Sequence, residues 1–428
     1  MQKNVLVFPC GSEIGLEIHN SLKFVKGIKL FGASSVSDHG KYLYSNYIEG
    51  IPNVEDPSFI EAINNMIEKF KIDFIFPAHD SVVLKLAQNK DVLKAEVVTS
   101  SMEVCETCRS KKKTYEYFDG EAFVPFMYEK AEDVEEFPVF LKPDVGQGSK
   151  GIALAKNREE LVFHLDKNDG LLILEYLPGK EFTIDCFTDR HGELKFAGMR
   201  ERRRIKSGIS VNSYTMDMEP EVFQIAKKIN EKMDLQGMWF FQVKEANNGS
   251  FKLMEIAPRI AGTMSLYRNK GINFSQLSIY DRLGFDINVI SNNFDIEIDR
   301  ALMNRFSIDI SYDKVYIDFD DTITLSGKVN PYIMMFIYQC HYKDIEVVLI
   351  TKHIHDIEET LRKLKVDRGL FEEIVHIQQD DEKHKYFKLE KSSIFIDDSY
   401  SERKKIHEKF GIPVFDIDAI ESLIDWRN

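Results

Sequence analysis

Ile317-Asp-Phe-Asp-Asp-Thr-Ile323 is an apolar, strand-like run that opens into carboxylates, with Asp318 at its end and Asp320 two residues further on. In open parallel sheets, ligands are held at the carboxyl ends of the strands, so this stretch marks both a strand and a site. Outward from it the strand signal recurs. Val315 to Phe319, Ile345-Glu-Val-Val-Leu-Ile350, Ser393-Ile-Phe-Ile-Asp397 and Val414-Phe-Asp416 alternate with helix-like segments, which predicts a small doubly wound α/β unit over residues 312–428. The second of these strands ends in Thr351, Lys383 sits in Asp381-Glu-Lys-His-Lys-Tyr386, and the third delivers Asp397 and Asp398. Only a helix and a strand fit between Thr322 and Thr351, and again between Thr351 and Lys383. No inserted cap is expected, which suits an open site and an extended substrate.

This order of residues closely resembles the four motifs of the haloacid dehalogenase superfamily. The resemblance implies a small capless Rossmannoid domain with magnesium-dependent phosphatase activity through an aspartyl-phosphate. Asp318 would be the nucleophile and Asp320 the general acid and base, while Thr351 would hydrogen-bond the phosphoryl group and Lys383 would offset its charge. Lys385 is the rival to Lys383, whose distance to Tyr386-Phe387 fits the family better. Magnesium, with manganese as an alternative, would be held by Asp318, the Asp320 backbone carbonyl and Asp398, with Asp397 beside it; an all-oxygen site suits a hard cation.

The first hundred residues also alternate strand and helix patterns. Asn4-Val-Leu-Val-Phe8 runs into Pro9-Cys-Gly-Ser-Glu-Ile-Gly15, and Ile72-Asp-Phe-Ile-Phe76, read as the second strand, ends in Pro77-Ala-His-Asp80. The Gly-containing turn is not a full GxGxxG, and His79 and Asp80 are either capping groups or substrate contacts. Between about residues 110 and 300 the pattern becomes long strands, hairpin turns and two amphipathic helices, an α+β character. There Phe137-Pro-Val-Phe-Leu-Lys142 leads into a loop with Gly146, Gly148 and Gly151, where backbone amides can approach phosphate oxygens and a lysine adds a point charge. Leu172-Ile-Leu-Glu175-Tyr-Leu177 and Glu181-Phe-Thr-Ile-Asp185 are apolar strands flanked by carboxylates. Phe241-Gln242-Val243 pairs naturally with Leu253-Met-Glu255-Ile-Ala-Pro-Arg259 across Asn247-Asn-Gly249.

Together these segments resemble the ATP-grasp superfamily, in particular the branch of carbamoyl phosphate synthase and related carboxylate–amine ligases. The resemblance implies a Rossmann-like pre-ATP-grasp lobe over 1–108 and an ATP-grasp domain over 109–305. In it, Lys142 and one of Lys111 to Lys113, with Lys111 favoured, would contact ATP phosphates beneath the loop of Gly146, Gly148 and Gly151. Glu175 and the Leu177 backbone would meet adenine, and Glu181 the ribose. Gln242 and Glu255 would hold magnesium, and Arg259 would steady the transferred phosphoryl group. Ala257 stands where family members often carry a metal-binding asparagine, so a second magnesium would be held differently. The implied reaction is amide formation through an acyl phosphate, on small-molecule acid and amine substrates of which one could carry a phosphate for the C-terminal domain to remove. The alternative is a phosphatase with the ATP-grasp part as a nucleotide-binding regulatory module.

Arg200, Arg202, Arg203 and Arg204 form the one dense basic cluster. Strand alternation places Arg202 and Arg204 on one side and Arg203 on the other, and an arginine there suits a carboxylate or acyl phosphate. The formal net charge of −14 over 428 residues argues against nucleic-acid binding while leaving mononucleotide binding open. No apolar run is long enough to span a membrane, and five cysteines build no disulfide framework, so a cytoplasmic location is expected. The lone Cys105-x-x-Cys108 reads as two small residues on a helix. A homo-oligomer is compatible with the sequence but not specified by it.

Overall fold

The continuous run Asn4 to Phe8, followed by a glycine-bearing turn, forms the central strand Lys3–Phe8 of a five-stranded parallel sheet. The computed structural model describes residues 2–146, 148 and 150–427. Across this sheet the order is Tyr47–Ile48, Ile28–Ala33, Lys3–Phe8, Phe74–Pro77 and Glu96–Val97. Ile72 to Phe76 is therefore not the second strand of the chain. Ile28–Ala33 comes first and pairs with Lys3–Phe8 on the opposite side from Phe74–Pro77. Its glycine hides the strand pattern, and the glycine has a packing reason: a methyl at Gly32 would lie 2.5 Å from Cγ of Tyr44. After the first strand, Ser12 caps the helix Glu13–Leu22 by accepting from the Gly15 amide, which fixes Ser12 and Glu13 at the carboxyl edge of the sheet.

Two antiparallel sheets follow. A four-stranded sheet orders Met127–Tyr128, Leu171–Glu175, Val139–Pro143 and Ala153–Ala155. A six-stranded sheet orders Phe251–Ala257, Gly237–Glu245, Glu181–Thr188, Leu194–Lys206, Ile209–Met216 and Glu297–Asp299. Period-two alternation gives the larger sheet two unlike faces. Phe182, Ile184, Trp239, Phe241, Leu253 and Ile256 pack against Val222, Ile225 and Ile229 of the helix Pro220–Lys232. Glu181, Thr183, Phe240 and Gln242 point the other way, toward a cavity. The helices of this region include short ones, Lys111–Tyr117, Ser265–Asn269 and Phe274–Arg282, beside the two amphipathic helices expected. Met102–Arg109 is helical and carries both Cys105 and Cys108, with Cys105 buried.

The chain divides into two compact units, 1–302 and 303–428. In the second, a parallel sheet orders Glu373–His376, Glu346–Thr351, Lys314–Ile317, Ser393–Ile396 and Val414–Phe415. Glu373–His376 is an addition to the expected strands. Aliphatic clusters cover both faces, which is why its central strands read as unbroken apolar runs. The segment between Thr322 and Thr351 holds a hairpin of Thr324–Leu325 with Lys328–Val329, the helix Pro331–Tyr342 and the strand Glu346–Thr351. Ser326 and Gly327 both take positive φ, as a two-residue hairpin turn requires.

Candidate functional sites

In the first unit, the polar face of the six-stranded sheet, the strand Val139–Pro143 and the carboxyl edge of the parallel sheet line a cavity of about 730 Å³. Lys111, Lys142, Gly146, Gly148, Glu181, Gln242, Glu255 and Arg259 all border it. Gly151, Lys112 and Lys113 do not. Gln242 and Glu255 are register partners on neighbouring strands, so the hairpin itself sets two oxygen-bearing side chains together. Phe140, Lys142, Lys244 and Met254 are shared with a narrow slot that adds Tyr115, Pro125, Leu174, Glu175 and Leu177. The Glu175 carboxylate accepts a hydrogen bond from the Phe126 amide at 2.8 Å, so it also ties down the neighbouring segment.

Lys142 is buried, and its Nζ donates to the Tyr115 hydroxyl at 2.6 Å and to the Met254 carbonyl at 3.3 Å. Burial, with Lys111 nearby, pushes its ammonium down to about 7. Burial also lowers Lys111, whose Nζ donates to the Asp144 carbonyl at 3.2 Å. Arg259 is bound through Nε to Asp80 at 2.5 Å. Burial raises the Asp80 carboxyl, but the charge and hydrogen bond of Arg259, together with Arg109 and His79, outweigh this and hold it below the usual range.

The basic cluster departs from simple alternation. Arg200 and Arg202 border the cavity, whereas Arg204 pairs with Asp299 at 2.9 Å and Arg203 lies over the Tyr214 ring at 4.3 Å. The pairing register skips Arg203 between Arg202 and Arg204, and such a bulge inverts the faces beyond it, bringing Ile205 rather than Arg204 to the cavity. Arg202 contacts Glu181 and donates to Gln242 at 2.7 Å. Arg200 forks onto Asp185 at 2.7 and 3.1 Å, a fully buried pair. The sequence reading missed Glu13 and Arg300, both of which border the cavity. Glu13 lies in the Gly-containing stretch Pro9 to Gly15, which alone did not single it out, and Arg300 lies in no recognisable motif; the folding of residues 13 and 300 onto one cavity makes them visible.

In the second unit, strand ends bring Asp318, Asp397 and Asp398 together, with one carboxylate oxygen of each within 4.8 Å of the others. Lys383 Nζ donates to Asp318 and Asp397, at 2.6 Å each, while Lys385 pairs with Asp381 on the surface. Two carboxylates around one ammonium leave a negative charge uncompensated. Burial, followed by the opposing effects of Lys383 and Asp397, puts the Asp318 carboxyl at about 7. For Lys383, burial is outweighed by the two carboxylates and the ammonium is held above its ordinary value. Thr351 is buried and its hydroxyl accepts from the His353 amide at 3.1 Å. The Asp320 carboxylate is half exposed and meets His353 Nδ1 at 2.9 Å.

The family described as ATP-grasp in the biosynthetic pathway with Ter operon matches residues 167–300. The chain is 28% identical over 174 residues to the carbamoyl phosphate synthase large chain of Clostridium botulinum (strain Alaska E43 / Type E3), covering 37% of this chain and 16% of that relative. Among solved structures, the biotin carboxylase–βγ-ATP complex of Campylobacter jejuni superposes with a TM-score of 0.57 at 16% identity, over 69% of this chain and 75% of that one. The L-amino acid ligase of Bacillus licheniformis gives 0.52 at 18% identity, over 65% and 73%.

The slot, the cavity and these likenesses define an ATP-grasp fold. Part of the sequence is similar to carbamoyl phosphate synthase large chains, and this chain spans about a sixth of the length of the Clostridium botulinum relative. Among the described residues, no helix is long and apolar enough to cross a membrane.

Proposed function

We propose that the chain is an ATP-dependent carboxylate–amine ligase joined to a magnesium-dependent phosphatase domain of haloacid dehalogenase type. The observation that carries the ligase reading is the continuity of the apolar slot at Glu175 and Leu177 with a cavity bordered by Lys111, Lys142, Glu181, Gln242, Glu255 and Arg259. In this reading the slot takes adenine, Glu181 the ribose, and Lys111 and Lys142 the phosphates beneath Gly146 and Gly148. Arg259, oriented by Asp80, steadies the transferred phosphoryl group. Gln242 and Glu255 offer oxygen donors from paired strands, a set that fits magnesium, which when bound would screen the polyphosphate. The acid is phosphorylated and the amine attacks the acyl phosphate, giving an amide, ADP and phosphate. Water excluded by the walls of the cavity spares the intermediate from hydrolysis.

In the second unit, Asp318 is the nucleophile, Asp320 the general acid and base, Thr351 a hydrogen-bonding partner of the phosphoryl group, and Lys383 its counter-charge. The oxygen atoms of Asp318, Asp397 and Asp398 fit a hard cation, and the Asp320 carbonyl would complete its shell. An open site with no inserted cap suits an extended, phosphorylated product of the ligase. The test incubates the protein with ATP, magnesium and pools of acids and amines, and follows ADP and condensed products by mass spectrometry. No acid-dependent ADP formation in any pool would end the ligase reading. An Asp318→Asn protein that accumulates a phosphorylated amide would support the coupling of the two activities; identical products at identical rates would remove it.

A further inference from the structure

Glu13 and Arg300 converge on one backbone position. A methyl at Gly262 would lie 3.2 Å from Cγ of Glu13 and 3.3 and 3.4 Å from Nη2 and Nη1 of Arg300. All three residues border the large cavity. The two charges are therefore near neighbours, yet among the described residues they close no salt bridge with each other or with any other group. Their cavity neighbours are already committed: Arg200 to Asp185, Arg202 to Glu181, Arg259 to Asp80, and the nearby Glu17 to Arg268. Among the described residues Arg300 spends one side-chain donor, from Nη1 to the Ser210 carbonyl at 3.2 Å. Thr183 adds an independent sign, since its hydroxyl is buried, borders the same cavity and has no hydrogen-bond partner among the described residues. A buried hydroxyl without a partner is costly unless a ligand supplies one.

We propose that Glu13 and Arg300, brought together over Gly262, form the subsite for a free α-amino acid, one of the two partners in the condensation. A simple acid placed on Arg300 would face the like charge of Glu13, and a simple amine placed on Glu13 would face Arg300. Only a ligand carrying adjacent carboxylate and ammonium groups satisfies both, the guanidinium forking onto the carboxylate and the Glu13 carboxylate accepting from the ammonium. Gly262 keeps the space between them open. Its backbone is not in the left-handed region, so alanine there acts through bulk alone.

This subsite rests on the ligase reading but is tested apart from it. Saturation-transfer NMR on the full chain uses a mixture of the standard α-amino acids, with and without MgADP, and with lactate and ethylamine as the comparators for alanine that lack one charge. At least one amino acid should bind saturably, and its deaminated and decarboxylated analogues should bind about tenfold or more weakly. Glu13→Gln, Arg300→Gln and Gly262→Ala should each weaken that binding by about tenfold, with Arg300→Lys intermediate, while calorimetric MgATP affinity stays as in the wild type. Binding of no amino acid, equal binding of the singly charged analogues, or unchanged binding in both Glu13→Gln and Arg300→Gln would overturn the proposal. If MgATP binds and ADP and an amide form from acid and amine pools that contain no amino acid, while no amino acid binds, the ligase reading survives and this subsite does not. If MgATP fails to bind, the ligase reading falls and the amino-acid result still stands by itself.

Discussion

Each unit buries a lysine at the floor of its site, and the two are treated oppositely. Lys142 and Lys383 are equally inaccessible, at 4% exposure each. Lys142 donates to a phenol and a carbonyl and, among the described residues, closes no salt bridge; burial and the charge of Lys111 outweigh Glu255 and Glu181, and its ammonium is pushed down to about 7. Lys383 is clasped by two carboxylates at 2.6 Å and is held above its ordinary value. Burial alone therefore does not decide the charge of a lysine; the counter-charge does. In the second unit the protein supplies that counter-charge permanently. In the first unit it is left to the ligand, so a polyphosphate would complete what the fold leaves unfinished.

The contrast can be broken first at Asp318. Asp318→Asn removes the proposed nucleophile but retains a hydrogen-bond acceptor for Lys383, so hydrolysis of an aryl phosphate should fall by more than about a thousandfold with the circular dichroism spectrum unchanged. Activity at the wild-type rate would dismiss the aspartyl-phosphate route. Lys383→Met attacks the same clasp from the other side. Leaving two buried carboxylates without their cation should destabilise the second unit by about 3–5 kcal/mol, read as faster amide hydrogen exchange confined to residues 303–428. Exchange that is unaltered would mean that the clasp is not a stabilising element.

Lys142→Ala should be milder for the fold, because no carboxylate is orphaned, and should weaken MgATP binding by about 1.5–3 kcal/mol in calorimetry. Equal affinity in the variant and the wild type would place the phosphates elsewhere. The smallest effect is in protons. The free-state Lys142 ammonium titrates at about 7, and bound phosphates would raise that value. Above pH 7 binding must then take up a proton, so affinity should decline as pH rises, by at most about tenfold per unit. Calorimetry in buffers of different ionisation enthalpy should show uptake approaching about one proton near pH 8. Lys142→Arg, always charged, should abolish that uptake, and its persistence would assign the proton to another group.

Much of this arrangement was legible beforehand because it depends on local pattern. Strand alternation explains why Glu181, Gln242 and Glu255 share a face, and an apolar run ending in Asp318 or Asp397 places those carboxylates at a sheet edge whatever the rest of the chain does. Where local pattern failed, a specific contact intervened. Gly32, present to admit the Tyr44 ring, disguised the strand Ile28–Ala33. The bulge at Arg203 sent Arg204 away from the cavity that alternation would have given it.

The sequence by itself determined the strand and helix alternation that opens the first unit, the doubly wound character of the second and the strand ends at which Lys142, Asp318 and Asp397 emerge, since each follows from periodicity and from residue types over short spans. Only the tertiary structure decided that Lys142 would close no salt bridge among the described residues while Lys383 would close two. It alone brought Glu13, Gly262 and Arg300 together. Electrostatic environment is a sum over neighbours from distant parts of the chain, and no local pattern carries that sum.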